Sequence, residues 1–258
     1  MKFDILVPSC PKDYVKLPFV VKSIVENVVG FENIYIITPE KIKVKSQYPI
    51  ITYTDLEVLP NVNPFRWKFR PNWIYQQFIK LFQNITKNEY FLTVDSDIIF
   101  NRKINFFEND KPIWYMGYDQ NEAPYYKFQQ IMLGYGRVYN HTFIADMNFM
   151  NKDIVSEMLA KNSYTKESFI EKSYEIVDVT CHPSECDIYG NYVAKYHPDM
   201  YLFKELKQDV HGKRFGDSRQ VVWTKEEIER IIEEKKKQDI DVHTMHSWCL
   251  HFENRWGI

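Results

Sequence analysis

Two periodicities alternate along the first hundred residues, and that alternation constrains the fold more than any other feature. Short runs rich in β-branched and aromatic residues, "FDILVPS" from Phe3, "ENIYIIT" from Glu32 and "YPIITYT" from Tyr48, read as strands. Between and after them lie helical patterns. "YVKLPFVVKSIVENVV" carries Pro18 near its first turn, where proline is tolerated. In "NWIYQQFIKLFQNI" the residues Ile74, Phe78, Leu81, Phe82 and Ile85 form one apolar stripe. Strands alternating with helices predict an α/β chain with a mostly parallel central sheet flanked by helices.

The second half is less regular. "PIWYMGY" and "TFIADMNFM" read as strands and "CDIYGNYVAKY" as a short helix, while Thr224 with Glu227 opens a charged helix through a capping box. No linker or repeat divides the 258 residues, so one domain is expected.

Composition narrows the function classes. A net charge of -2 gives no general electrostatic attraction to nucleic acid. Four cysteines without scaffold spacing predict free thiols and a cytoplasmic setting. A zinc site among Cys181, His182, Cys186 and His197 would lack any CxxC pair. "MKFDILVPSC" is too short and too acidic for a signal peptide, and no run approaches the roughly 20 apolar residues of a membrane span. A soluble protein follows, with peripheral attachment to the inner face of a membrane still open. The 16% aromatic content suits a large core and also saccharide-stacking surfaces.

The chemistry concentrates in "NEYFLTVDSDIIFNRK". Asp95 and Asp97 interrupt the most hydrophobic strand-like run in the chain. Buried charge is costly unless paired or bound to metal. In an extended segment residues i and i+2 point the same way, so both carboxylates are expected to face one point at a sheet edge, where Mg²⁺ or Mn²⁺ suits such oxygens. The bare pattern is common by chance, and the chain holds a second copy, Asp239-Ile240-Asp241, beside a lysine run where solvent exposure is expected. An Asx-type turn closing the strand is the purely structural alternative.

"FLTVDSDIIF" closely resembles the DxD motif of the GT-A nucleotide-sugar glycosyltransferases, and "RPNWIYQQFIKL" and "PSECDIYGNYV" resemble segments of a less characterised bacterial and viral group with that fold. The resemblance implies a single GT-A catalytic domain, with residues 1–110 as the nucleotide-binding half and residues 111–258 as the acceptor-binding half and tail. It implies a nucleotide-sugar donor such as a UDP-sugar and a saccharide or lipid-linked acceptor, in polysaccharide or glycoconjugate synthesis. Mn²⁺ or Mg²⁺ would be bound by Asp95 and Asp97, with a C-terminal histidine as third ligand: His246 first, then His251. Pro8, Ser9 and Cys10 at the end of the first strand are expected to contact the nucleotide together with Ser96, and Arg70, Gln77 and Lys80 the phosphates. Asp146 is a candidate for a sugar hydroxyl, and Trp114 and Tyr115 for flanking the donor. Glu185 is the candidate general base, against a helix-capping role for "PSECD".

Two alternatives stand beside this reading. A haloacid-dehalogenase-type phosphatase would use Asp95 as nucleophile, with "FGDSRQ" from Phe215 as a partial late motif. A catalytically inactive nucleotide-sugar-binding protein would keep the cleft without turnover.

Overall fold

The computed structural model describes residues 1–117, 123–139, 142–215 and 223–249. Strand β1 (Phe3–Pro8) is buried at every position, as a strand covered on both faces must be. Helix α1 (Leu17–Asn27) has its proline in the first turn and leads through β2 (Val28–Val29) into β3 (Phe31–Thr38). After β4 (Ile50–Thr54), Thr54 and Glu57 close a capping box on the short α2 (Asp55–Val58).

Helix α3 (Pro71–Phe82) presents the expected apolar face but stops before Ile85. Gln83 turns extended there, and its side-chain oxygen accepts the amides of Ile85 and Thr86, replacing helical carbonyls. Strand β5 (Tyr90–Val94) follows, then β6 (Ile98–Phe100), β7 (Ile104–Asn105), β8 (Phe107–Glu108) and β9 (Lys111–Met116). The later elements are α4 (Ala123–Leu133), β10 (Met147–Asn151), α5 (Lys152–Lys161), α6 (Lys166–Ile176) and α7 (Glu185–Tyr196). The last are β11 (Leu202–Glu205), β12 (Gln208–Phe215), α8 (Lys225–Lys236) and β13 (Val242–Cys249). Helix α8 opens on the Thr224–Glu227 capping box.

The central sheet runs β10-β5-β1-β3-β4. Four of its strands are parallel, and β10 joins antiparallel to β5. The chain is therefore α/β with a mostly parallel central sheet. A second sheet, β12-β13-β6, places β13 antiparallel to β6, so the C-terminal strand lies against the segment that leaves the Asp95–Asp97 turn. One buried apolar cluster extends from Phe3 to Met245 and crosses residue 110 without a break in packing. Among the described residues no helix is long and apolar enough to cross a membrane.

Three expectations are corrected. "TFIADMNFM" is a strand only from Met147, because Asp146 takes a left-handed backbone with φ of 53°. Trp114 does not flank a donor: it is buried and stacked 5.5 Å from Tyr189 within the core. Tyr115 instead donates its hydroxyl to the Asn105 carbonyl.

Candidate active site at the carboxyl end of β5

The two carboxylates do not sit in an extended segment. Residues 95–98 form a tight turn in which the Ile98 amide donates to the Asp95 carbonyl at 3.2 Å. Alternation by two residues therefore fails, and each acid acquires its own set of charged partners.

Asp95 faces α3 and α7. The Lys80 ammonium lies 2.6 Å from its Oδ1 and 2.7 Å from Oε1 of Glu185. Lys80 is placed there because it lies on the buried side of α3, while Glu185 occupies the first position of α7, whose N-cap is Ser184. Asn148 on β10 also donates to Glu185, at 3.5 Å, and Gln77 accepts the Glu185 amide at 3.4 Å. Burial raises the Asp95 carboxyl to about 7 against the opposing pull of Lys80, with the charges of Asp146, Asp97 and Glu185 adding to the rise. Burial works against the Lys80 ammonium, but Asp95 and Glu185 outweigh it and hold its pKa well above the ordinary value.

Asp97 has its own partners, on the segment after β1 and on β13. His246 Nδ1 is 3.1 Å from Asp97 Oδ2, although 149 residues separate them in the chain. Carbonyl pairing fixes this approach: the Met245 amide donates to the Asp97 carbonyl at 2.8 Å. Lys16, fully buried, donates to Asp13 at 2.7 Å and to the Met245 carbonyl at 2.6 Å, and its ammonium is 3.8 Å from Asp97. Burial penalises the Asp97 carboxylate, but the His246 bond and charge, with Lys16, bring it down to about 2. Burial likewise disfavours the His246 cation, yet Asp97, Asp146 and Asp95 raise it to about 9. The surrounding carboxylates thus favour the protonated form of the His246 ring.

The strained Asp146 completes the cluster. Its carbonyl accepts the Asp95 amide at 3.0 Å. Its Oδ2 accepts from Gln208 at 2.8 Å and Thr244 at 2.9 Å and lies 3.7 Å from His246 Nε2. Backbone strain of this kind persists where neighbours over-determine it, commonly at functional sites.

The residues after β1 close the site from the other side. Pro8 ends the strand. The Ser9 amide donates to the Ile37 carbonyl at 2.8 Å. Among the described residues, however, the buried Ser9 hydroxyl has no hydrogen-bond partner. The Cys10 thiol and the Ser96 hydroxyl both approach Asp13 Oδ2 at 3.5 Å, and burial plus the Asp13 charge push Cys10 up to about 12.

Two assignments move. Glu185, expected as a base within reach of an acceptor hydroxyl, is 1% exposed and shared between Lys80 and Asn148, so an acceptor would have to displace its neighbours. It holds Lys80 in place instead, and Ser184 caps its helix by accepting the Asp187 amide. Arg70 stands ten residues before Lys80, about 15 Å along α3 at the helical rise, so the two do not close on one phosphate. His243 is buried and bonded to Asn101, which removes it from the site. His251 and residues 216–220 of "FGDSRQ" lie outside the described residues.

Sequence reasoning missed Asp13 and Lys16. Their i,i+3 spacing just before α1 was the only available signal, and it does not distinguish a buried pair from a surface one. Lys16 bonds the Met245 carbonyl on β13, a contact across 229 residues that local spacing does not reveal.

Among the described residues no set of three or more His, Cys, Asp or Glu side chains converges as a metal site. The donor chemistry of Asp97, His246, Asp146 and Asp95 nonetheless suits a divalent cation. By donor type the residues fit Mn²⁺ or Mg²⁺.

Comparison with known families then bears on identity. A family model, DUF6492, described as a family of unknown function, matches residues 10–238. The chain belongs to the DUF6492 family. No curated protein matches it significantly. The match includes Asp95, Asp97, Lys16, Lys80, Asp146 and Glu185, and stops short of His246 on β13.

Proposed function

We propose that this member of DUF6492 is a GT-A-fold glycosyltransferase. It moves a sugar from a nucleotide-diphosphate donor, a UDP-sugar first among them, to a saccharide or lipid-linked acceptor in polysaccharide or glycoconjugate assembly, at the cytoplasmic face of a membrane. The observation that carries the reading is the Asp97–His246 pair at the carboxyl edge of a parallel sheet, the edge at which open α/β sheets bind ligands. The resemblance of "FLTVDSDIIF" to the DxD motif and the antiparallel β10 beside β5 support it further.

Asp95, Asp97 and His246 are the residues that would hold Mn²⁺ or Mg²⁺, which supplies Lewis-acid charge to a departing diphosphate. The protein's own work is orientation. Lys16 and Asp13 hold Asp97 against β13. Lys80, clamped by Glu185, holds Asp95 and keeps water from that side, since both side chains are almost wholly buried. The Ser9 hydroxyl is the group left to meet the nucleotide.

Incubation with UDP-sugars and Mn²⁺ tests the proposal. Slow UDP release without acceptor, lost on adding EDTA and in Asp97→Ala, is expected. Hydrolysis of p-nitrophenyl phosphate with phosphate trapped on Asp95 would replace the reading with a phosphatase. Thermal stabilisation by UDP and Mn²⁺ with no turnover would reduce it to a binding protein.

A further inference from the structure

Arg70 has a backbone that arginine rarely adopts: φ is 42° and ψ 53°, in the left-handed region, at the N-cap of α3. A strained non-glycine residue needs a reason to remain, and its side chain supplies one. The guanidinium lies over the Trp73 ring, 4.3 Å from the centroid. It is partly buried, its pKa is drawn down by that burial, and among the described residues no carboxylate pairs with it. Arg66, which also lies over a ring, that of Tyr174, is paired with Glu171, and Arg102 is paired with Asp239.

Aromatic rings surround the Arg70–Trp73 unit. Tyr125 stacks on Trp73 at 6.2 Å, and His182 meets Trp73 at 5.8 Å, Tyr125 at 5.2 Å and Phe69 at 4.8 Å. Phe69, Trp73 and Tyr125 remain partly exposed. The His182 ring is oriented by its Nδ1, which lies 3.0 Å from the Asp178 carbonyl and must therefore donate. A guanidinium stacked on an aromatic face keeps its N–H groups in plane for a bidentate anion, and aromatic rims suit the C–H faces of a sugar. The cluster also adjoins the proposed active site. His182 precedes Glu185 by three residues, and Trp73 precedes Gln77, which binds the Glu185 amide, by one helical turn.

The geometry points to Arg70, seated on Trp73 and ringed by Phe69, Tyr125 and His182, as the site that binds the anionic group of the acceptor, a sugar bearing a carboxylate or a phosphate. The word acceptor rests on the glycosyltransferase reading; the anionic-sugar site itself does not.

Calorimetric titration of the full chain with a methyl uronoside, the 6-phosphate of a methyl hexoside and the neutral methyl hexoside tests it. One or both charged sugars should bind about tenfold or more tightly than the neutral one, as expected for charge-assisted hydrogen bonds; whichever binds more tightly names the source of the charge. Arg70→Gly removes the cation and relaxes the strained backbone, so its melting temperature should hold or rise while the preference vanishes. Equal binding of charged and neutral sugars, or a preference retained in Arg70→Gly, overturns the inference. UDP titration with Mn²⁺ separates the two proposals. A wild-type chain that prefers anionic sugars but binds no UDP sinks the glycosyltransferase reading alone. One that binds UDP without preferring anionic sugars sinks this inference alone.

Discussion

The molecule contains two Asp-x-Asp pairs at opposite ends of one ladder. Asp97 leads into β6, where Thr244 of β13 pairs with Ile98; Asp241 leads into β13, where Val242 pairs with Phe100. At the first end Asp95 and Asp97 are largely enclosed and answered by Lys80, Lys16 and His246. At the other, Asp239 is two-thirds exposed between Arg102 and Lys207, whose bonds hold its carboxyl below the usual range, and Asp241 accepts the Lys207 amide at 3.0 Å. The sequence pattern is identical. What differs is whether the partner cations are themselves removed from water, and that decides where charge can be used rather than merely solvated.

Function offers the hardest test of this comparison. Asp97→Ala should weaken metal-dependent UDP binding by about 100-fold or more, the scale of losing a charged ligand from a metal site, whereas Asp239→Ala should leave calorimetric affinity unchanged. Equal losses at both would erase the distinction.

Stability comes next. Lys80→Met leaves Asp95 and Glu185 buried without their cation, and urea denaturation should show a loss of about 3–5 kcal/mol. Arg102→Met, at the exposed pair, should not shift the midpoint measurably.

The pH dependence sharpens the contrast. With His246 raised from 6.5 to about 9, its stabilising contribution is complete below pH 6.5 and is lost as pH rises through 9. Asp97, lowered from 3.8 to about 2, contributes fully above pH 3.8 and loses it as pH falls through 2. The pair therefore stabilises fully between pH 3.8 and 6.5, and urea midpoints should decline from there to pH 9 more steeply in the wild type than in His246→Asn, where the raised Asp95 and Asp187 carboxyls leave only a fall that ends near pH 7. A flat alkaline limb in the wild type would mean that Asp97 and His246 do not share a proton in solution. A smaller loss than at Lys80 is expected of Asp241→Ala, which removes one acceptor of a backbone amide and should cost about 1 kcal/mol with no change in UDP binding.

Much of the fold was readable because burial leaves a periodic trace. The apolar runs at Phe3, Glu32 and Tyr48, the stripe along α3 and the Thr224–Glu227 box all became the elements their patterns implied. Asp95 and Asp97 were legible as unusual charges within an apolar segment. The partnership of Lys80 with Glu185 was not, because the contact spans 105 residues. Arg70 shows the same limit: its sequence position suggested phosphate, while its left-handed backbone and its seat on Trp73 turn it toward an aromatic cluster.

The chain's linear order by itself determined which segments are strands and helices and that two acids must close β5, since those follow from residue type and spacing over a few neighbours. Only tertiary structure decided that these acids take different cations as partners, that β13 delivers His246 to one of them, and that Lys16 and Lys80 are buried beside them. Such pairings depend on which distant backbones share a sheet edge, and charge interactions become strong only once that packing has excluded water.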